Sequence, residues 1–212
     1  EASDLVWTSP SEPEVLADLL GDHPAIGWVQ LPWDGVEPLI PIISAERERT
    51  WSCAKGVYSD PVAEHALALL LAGFRHLAPY ARADTWTRDA GRNLFGAQIT
   101  ILGGGGIAEA LVGLLAPFRC TITVVRRTPA VMAGVHRVVG PDDLHHALTG
   151  ADAVVLALPL LDDTRHVLGA EELALLGPDT WVINVARGPH IDTDALVDAL
   201  TEGRLGGAGL DV

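Results

Sequence analysis

Basic residues are scarce in this chain. Fourteen Lys and Arg face 28 Asp and Glu, for a formal charge of −14, which argues against nucleic acid or an anionic membrane surface as a general partner. Cysteine is nearly absent: Cys53 and Cys120 lie far apart and form no C-x-x-C. A disulfide framework or a thiolate metal site is therefore disfavoured, and both read as reduced packing residues of a cytoplasmic protein. Long apolar runs are missing as well. The longest, near residues 66–72, is too short to span a bilayer. The amino end shows no signal-peptide pattern, and it opens at Glu1 rather than methionine, so upstream residues are expected. What remains is 49% hydrophobic and 20% charged over 212 residues. That supplies a sizeable core for one large or two small domains and is not the composition of a disordered chain.

The most informative stretch is Ile99-Thr100-Ile101-Leu102-Gly103-Gly104-Gly105-Gly106-Ile107-Ala108. A buried strand runs into a glycine cluster and at once into a helical pattern. Gly103, Gly105 and Ala108 stand in G-x-G-x-x-A spacing, which suits a tight turn, a pyrophosphate laid on bare backbone, and close helix–strand packing. The helix start adds free N–H groups and a positive dipole end. Alone the spacing also fits an ordinary loop. A second β-branched strand at 120–125 closes a strand–helix–strand unit of about thirty residues, as dinucleotide binding requires.

Elsewhere strand and helix signals alternate. Before the nucleotide unit the patterns predict strands at 4–7, 26–30 and 51–58 and a helix at 13–20 capped by Ser11. Residues 31–37 read as a turn-rich connector with a packed tryptophan, or as an amide loop facing a substrate; spacing alone favours the connector. A helix over 62–77, opened by Pro61, is apolar on nearly every face and so buried. In it His65 reads as a core or interface residue, since no second metal ligand has fitting spacing. After the second strand come strands at 135–139, 153–158, 181–185 and 208–210, and helices at 142–148, 171–176 and 194–202, the last capped by Asp192. His145 and His146 fall on a solvent face. The alternation predicts an α/β fold, a doubly wound parallel sheet whose ligands bind at the carboxyl ends of the strands.

Two of those ends carry charge chemistry. Arg126-Arg127-Thr128 follows the second strand, where an NAD site places a carboxylate on the adenosine ribose. Guanidinium groups there would clamp a 2′-phosphate instead. Most Arg-Arg pairs are solvated surface pairs, but the strand-end position favours NADP(H). Arg187, in Asn184-Val185-Ala186-Arg187-Gly188, could hold a substrate carboxylate and polarise a carbonyl; a cap or surface arginine is equally supported by spacing.

At this point the chain resembles a family. Val62-Ala63-Glu64-His65, the 103–108 fingerprint, Leu158-Pro159-Leu160 with Thr164-Arg165, Asn184-Val185-Ala186-Arg187-Gly188, Asp192 with Asp194-Ala195-Leu196, and Gly209-Leu210-Asp211-Val212 stand in the order and spacing of the D-isomer-specific 2-hydroxyacid dehydrogenases. The match runs from about Trp28 to Val212 and looks most like the glyoxylate/hydroxypyruvate reductase and phosphoglycerate dehydrogenase-like branches. The resemblance implies an NAD(P)-binding Rossmann domain over 60–212, cut short at its carboxyl end, and a partial flavodoxin-like substrate domain over 1–59. It implies hydride transfer between a nicotinamide and C2 of a small 2-oxo or 2-hydroxy acid. Arg187 matches the arginine on the substrate carboxylate and carbonyl, and Gly35 and Val36 match the loop whose amides hold that carboxylate. Gly103, Gly105, Gly106 and Ile107 match the pyrophosphate turn. Pro159, Thr164, Val185 and Ala186 line the cofactor, and Asp211 contacts the nicotinamide carboxamide. Arg126 falls where many members carry aspartate, which agrees with NADP. A homodimer packed on the 62–77 helix is implied, and no metal.

One departure matters. The family's proton donor is a histidine held by a glutamate, both beyond the Leu-Asp-Val motif, and the sequence stops at Val212. Cofactor binding with little turnover is the expectation for this polypeptide alone. Two other readings stand beside the reductase: a non-catalytic dinucleotide sensor of the same fold, akin to the corepressor branch, and a homocysteine-releasing Rossmann hydrolase, which accounts poorly for Arg187 and the Leu-Asp-Val ending.

Overall fold

The structure, a computed structural model, describes residues 2–8, 12–86 and 88–212. The expected cap Ser11 lies outside the described residues. The chain divides into two compact units, Glu1–Tyr58 and Ser59–Val212.

The first unit is a three-stranded parallel sheet, β1 (Asp4–Val6), β2 (Trp28–Gln30) and β3 (Thr50–Ser52), ordered β1-β2-β3 with helices α1 (Pro13–Asp22) and α2 (Ile40–Ala45). Trp7, Leu16, Leu20, Ile26, Val29, Leu31 and Leu39 form its core. The strand expected over 51–58 stops at Ser52, because the chain turns at Gly56 with φ +84°. The tryptophan expected to pack is instead exposed: Trp33 is 42% accessible, with its ring 5.9 Å from that of Tyr58.

The second unit opens with α3 (Ser59–Phe74) and α4 (Leu77–Arg82). One helix was expected over 62–77; it breaks because His76 adopts a left-handed conformation, φ +50°. Then follow β4 (Gln98–Leu102), α5 (Gly106–Leu115), β5 (Thr121–Val125), β6 (Arg137–Val139), α6 (Leu144–Leu148), β7 (Ala153–Leu156), α7 (Ala170–Ala174), β8 (Trp181–Asn184), α8 (Thr193–Thr201) and β9 (Gly207–Leu210). All six strands are parallel, in the order β6-β5-β4-β7-β8-β9. The order reverses direction at β4, so a crevice opens between the carboxyl ends of β5, β4 and β7, where doubly wound sheets bind ligands.

Side-chain alternation builds a core on each face. Ile99, Ile101, Ile122, Val124 and Val155 face Ala63, Ala66, Leu70 and Phe74 of α3 and Ala108 and Leu111 of α5. Leu102, Val125, Val154, Leu156 and Val182 face the layer of α6, α7 and α8. Cys120 is buried, and burial pushes its thiol up, so it stays a neutral packing group. Asp192 caps α8, its carboxylate accepting from the Asp194 and Ala195 N–H groups at 3.1 and 3.2 Å. His145 and His146 are exposed as expected. His65 is not a core residue: its side chain is about half exposed. Among the described residues no helix is long and apolar enough to cross a membrane, and no cluster of three or more His, Cys, Asp or Glu is arranged to hold a metal.

Candidate functional site

The crevice is shaped first by backbone. Gly103 leaves β4 with φ +108°, a conformation that side chains rarely adopt, and a Cβ there would run into the Ala157 carbonyl. Its N–H donates to Val125 O at 2.9 Å. Gly106 starts α5, and a Cβ on it would collide with the Ser59 hydroxyl. Gly105, between them, has no protein atom within 4 Å of where its Cβ would stand. Gly105 gives the first turn of α5 no side-chain cap, so its orphan N–H groups are left for another partner at the positive end of the helix dipole. Ala108 is fully buried and lets α5 lie close on the sheet. Uncapped amides, the open space beside Gly105 and a helix start together fit a diphosphate.

Arg126 follows β5 and is tied by its N–H to Val139 O at 3.0 Å. Its stem lies across Gly104: a Cβ at 104 would sit 2.8 Å from Arg126 Cδ and 3.1 Å from Nε. The guanidinium is thus brought beside the glycine turn. Arg127 and Thr128 follow it, both exposed.

The exits of β7, β8 and β9 form the other wall. Thr164 closes the loop after β7: its hydroxyl donates to Pro159 O at 2.8 Å and accepts from Leu161 N–H at 2.8 Å. It therefore shapes the 159–164 loop with its polar atom already engaged. After β8, Val185 and Ala186 are buried and Arg187 is exposed, with Nη1 donating to Ala186 O at 2.7 Å. Asn184, 1% exposed, braces this turn. It accepts from Ala186 N–H at 3.0 Å and donates to Arg187 O at 2.9 Å. Asp211, after β9, anchors its N–H on Asn184 O at 3.0 Å, and its carboxylate lies 3.5 Å from His65 Nε2 on α3.

The sheet thus gathers Gly103, Gly105, Gly106, Ile107, Arg126, Pro159, Thr164, Val185, Ala186, Arg187 and Asp211 at the carboxyl ends of five strands of one unit. Gly35 and Val36 belong to the other unit, in the turn after β2, where Val36 O accepts from Leu39 N–H at 2.9 Å. A hollow of about 330 Å³ lined by Gln98, Thr121 and Arg137 opens at the amino ends of β4 and β5 and is not this crevice. Sequence reasoning missed His190, fully buried between the exits of β7 and β8, and the approach of His65 to Asp211. Neither gives a periodic signal. Each meets its partner only through the fold.

Known proteins share this arrangement. The family model for the D-isomer specific 2-hydroxyacid dehydrogenase NAD binding domain matches residues 66–212. An uncharacterized protein in the proB 3′ region of Corynebacterium melassecola is 34% identical over 99% of this chain and 70% of its own length. A glyoxylate reductase of Pyrococcus furiosus is 35% identical over 74% of this chain, which spans half the length of that relative. A solved D-isomer specific 2-hydroxyacid dehydrogenase family protein from Aeromonas salmonicida aligns with a TM-score of 0.87 at 28% identity, over 100% of this chain and 68% of that one. A strand–glycine turn–helix at the switch point, the matched domain and these relatives agree: the chain belongs to the D-isomer specific 2-hydroxyacid dehydrogenase family and contains its NAD-binding domain.

Proposed function

We propose that this chain works as part of an NADPH-preferring reductase of small 2-oxo acids, with glyoxylate and hydroxypyruvate as the first substrates to try. The observation that carries the coenzyme preference is Arg126 lying across Gly104, beside the open amides of the turn. In this reading Gly103, Gly105, Gly106 and Ile107 hold the pyrophosphate. Arg126, with Arg127 and Thr128, takes the adenosine 2′-phosphate through charge-assisted bonds. Pro159, Thr164, Val185, Ala186 and Asp211 line the nicotinamide half. Hydride transfer is the chemistry that the coenzyme supplies when bound. The protein's own work is position and charge: Arg187 binds the oxo acid carboxylate and polarises its carbonyl, and the Gly35–Val36 turn of the first unit offers amides of the kind that bind a carboxylate. A cytoplasmic homodimer packed on α3 completes the proposal.

Paired titrations with NADPH and NADH, by coenzyme fluorescence, test it. NADPH binds more tightly, and Arg126→Ala weakens NADPH by about ten- to a hundredfold, the size of a lost charge-assisted bond, while NADH changes little. Equal or tighter NADH binding by the unaltered protein contradicts the preference. NADPH oxidation with glyoxylate and hydroxypyruvate tests the substrate class.

A further inference from the structure

We propose that His190 is a positioning residue that sets Arg187 and the 159–164 loop in register with each other; this rests on the reading of those two segments given above. His190 has no exposed surface. A buried imidazole needs partners for both nitrogens, and this one finds them on two different loops. Nε2 lies 3.2 Å from Pro159 O, a pure acceptor, so Nε2 carries the proton. Nδ1 faces the Arg187 backbone, 3.2 Å from its nitrogen and 3.0 Å from its carbonyl oxygen; with the proton on Nε2 it accepts from the Arg187 N–H. The Arg187 carbonyl does not need Nδ1 as a donor, because it already accepts from Asn184 Nδ2 at 2.9 Å and from His190 N–H at 3.2 Å.

Both backbone groups of Arg187 are thereby fixed, the N–H by His190 and the carbonyl by Asn184. The Pro159 carbonyl is fixed as well, shared between His190 Nε2 and the Thr164 hydroxyl at 2.8 Å. One ring spans the wall that holds the coenzyme and the arginine that holds the substrate. Because each nitrogen serves one loop, the two duties are separable by substitution. Asn places an oxygen near Nδ1 but is too short to reach Pro159. Gln reaches Pro159 with its amide but leaves the Arg187 N–H without its acceptor. Leu removes both.

The test measures NADPH affinity, KM for glyoxylate and melting temperature in the intact protein and its variants. His190→Asn weakens NADPH by about tenfold and leaves KM near the original value. His190→Gln raises KM about tenfold and leaves NADPH affinity intact, and His190→Leu loses both, each factor being that of one buried hydrogen bond. Equal losses in Asn and Gln that follow only a lowered melting temperature make His190 a core residue and overturn the proposal. So do variants with unchanged NADPH affinity and KM. If the unaltered protein binds NADPH, the NADPH arm, Asn against Gln, decides the role of His190 whether or not an oxo acid is reduced; no NADPH binding at all is the failure of the reading on which the proposal rests.

Discussion

Gly104 is the residue at which the proposed coenzyme preference is most directly probed. A methyl group there would overlap Arg126 Cδ and crowd Nε, while the backbone at 104 needs no unusual conformation. Gly104→Ala should therefore fold and keep its NADH affinity, yet push the guanidinium off the turn. The expected result is an NADPH affinity about tenfold lower; coenzyme titration of the variant reads it, and an unchanged NADPH affinity would show that Arg126 does not work from this place. The place of Arg126 beside the turn was legible in the sequence because a strand end next to a glycine turn has a fixed geometry. Thr164 was legible as a position but not as a bond: its hydroxyl is engaged by Pro159 and Leu161 rather than left open. His190 was not legible at all. Its partner Pro159 lies 31 residues earlier, and a lone histidine in a loop carries no period.

Among elements, α7 carries a stability tied to pH. Burial pushes the Glu172 carboxyl up, but a hydrogen bond from His145 at 2.9 Å, together with bonds from backbone N–H groups including Gly169 at 3.0 Å, outweighs it and leaves the carboxyl below its ordinary range. A depressed carboxyl stabilises the fold fully above its unfolded value, about 4.3, and the contribution fades as pH falls through the folded value. Urea unfolding between pH 7 and pH 3 should show this loss, and Glu172→Gln should flatten it and cost about 1 kcal/mol at pH 7. An unaltered pH slope in the variant would place the effect elsewhere. The nucleotide unit was readable because β4 and β5 are apolar, β-branched runs on either side of a glycine turn and a helix with one buried face. The first unit was harder. α2 carries Pro41 within an apolar run that resembles a strand, and β3 is three residues long before the chain turns at Gly56. Short elements give periodicity too few repeats to register.

At the scale of the molecule, alternation along the chain determines a parallel sheet, and short right-handed crossovers leave few strand orders to choose from. The order found, with its reversal at β4, is what turns separate motifs into neighbours: residues spread from Gly103 to Asp211 share one end of one sheet. The net charge of −14 makes the Arg126-Arg127 pair a local exception. The central claim is that a dinucleotide lies with its diphosphate on the Gly105, Gly106 and Ile107 amides. A crystal structure of the protein with NADPH tests this most directly. The account predicts the diphosphate over that turn, the 2′-phosphate on Arg126 and the nicotinamide toward Arg187; a coenzyme seated elsewhere, or a turn filled by side chains, would contradict it.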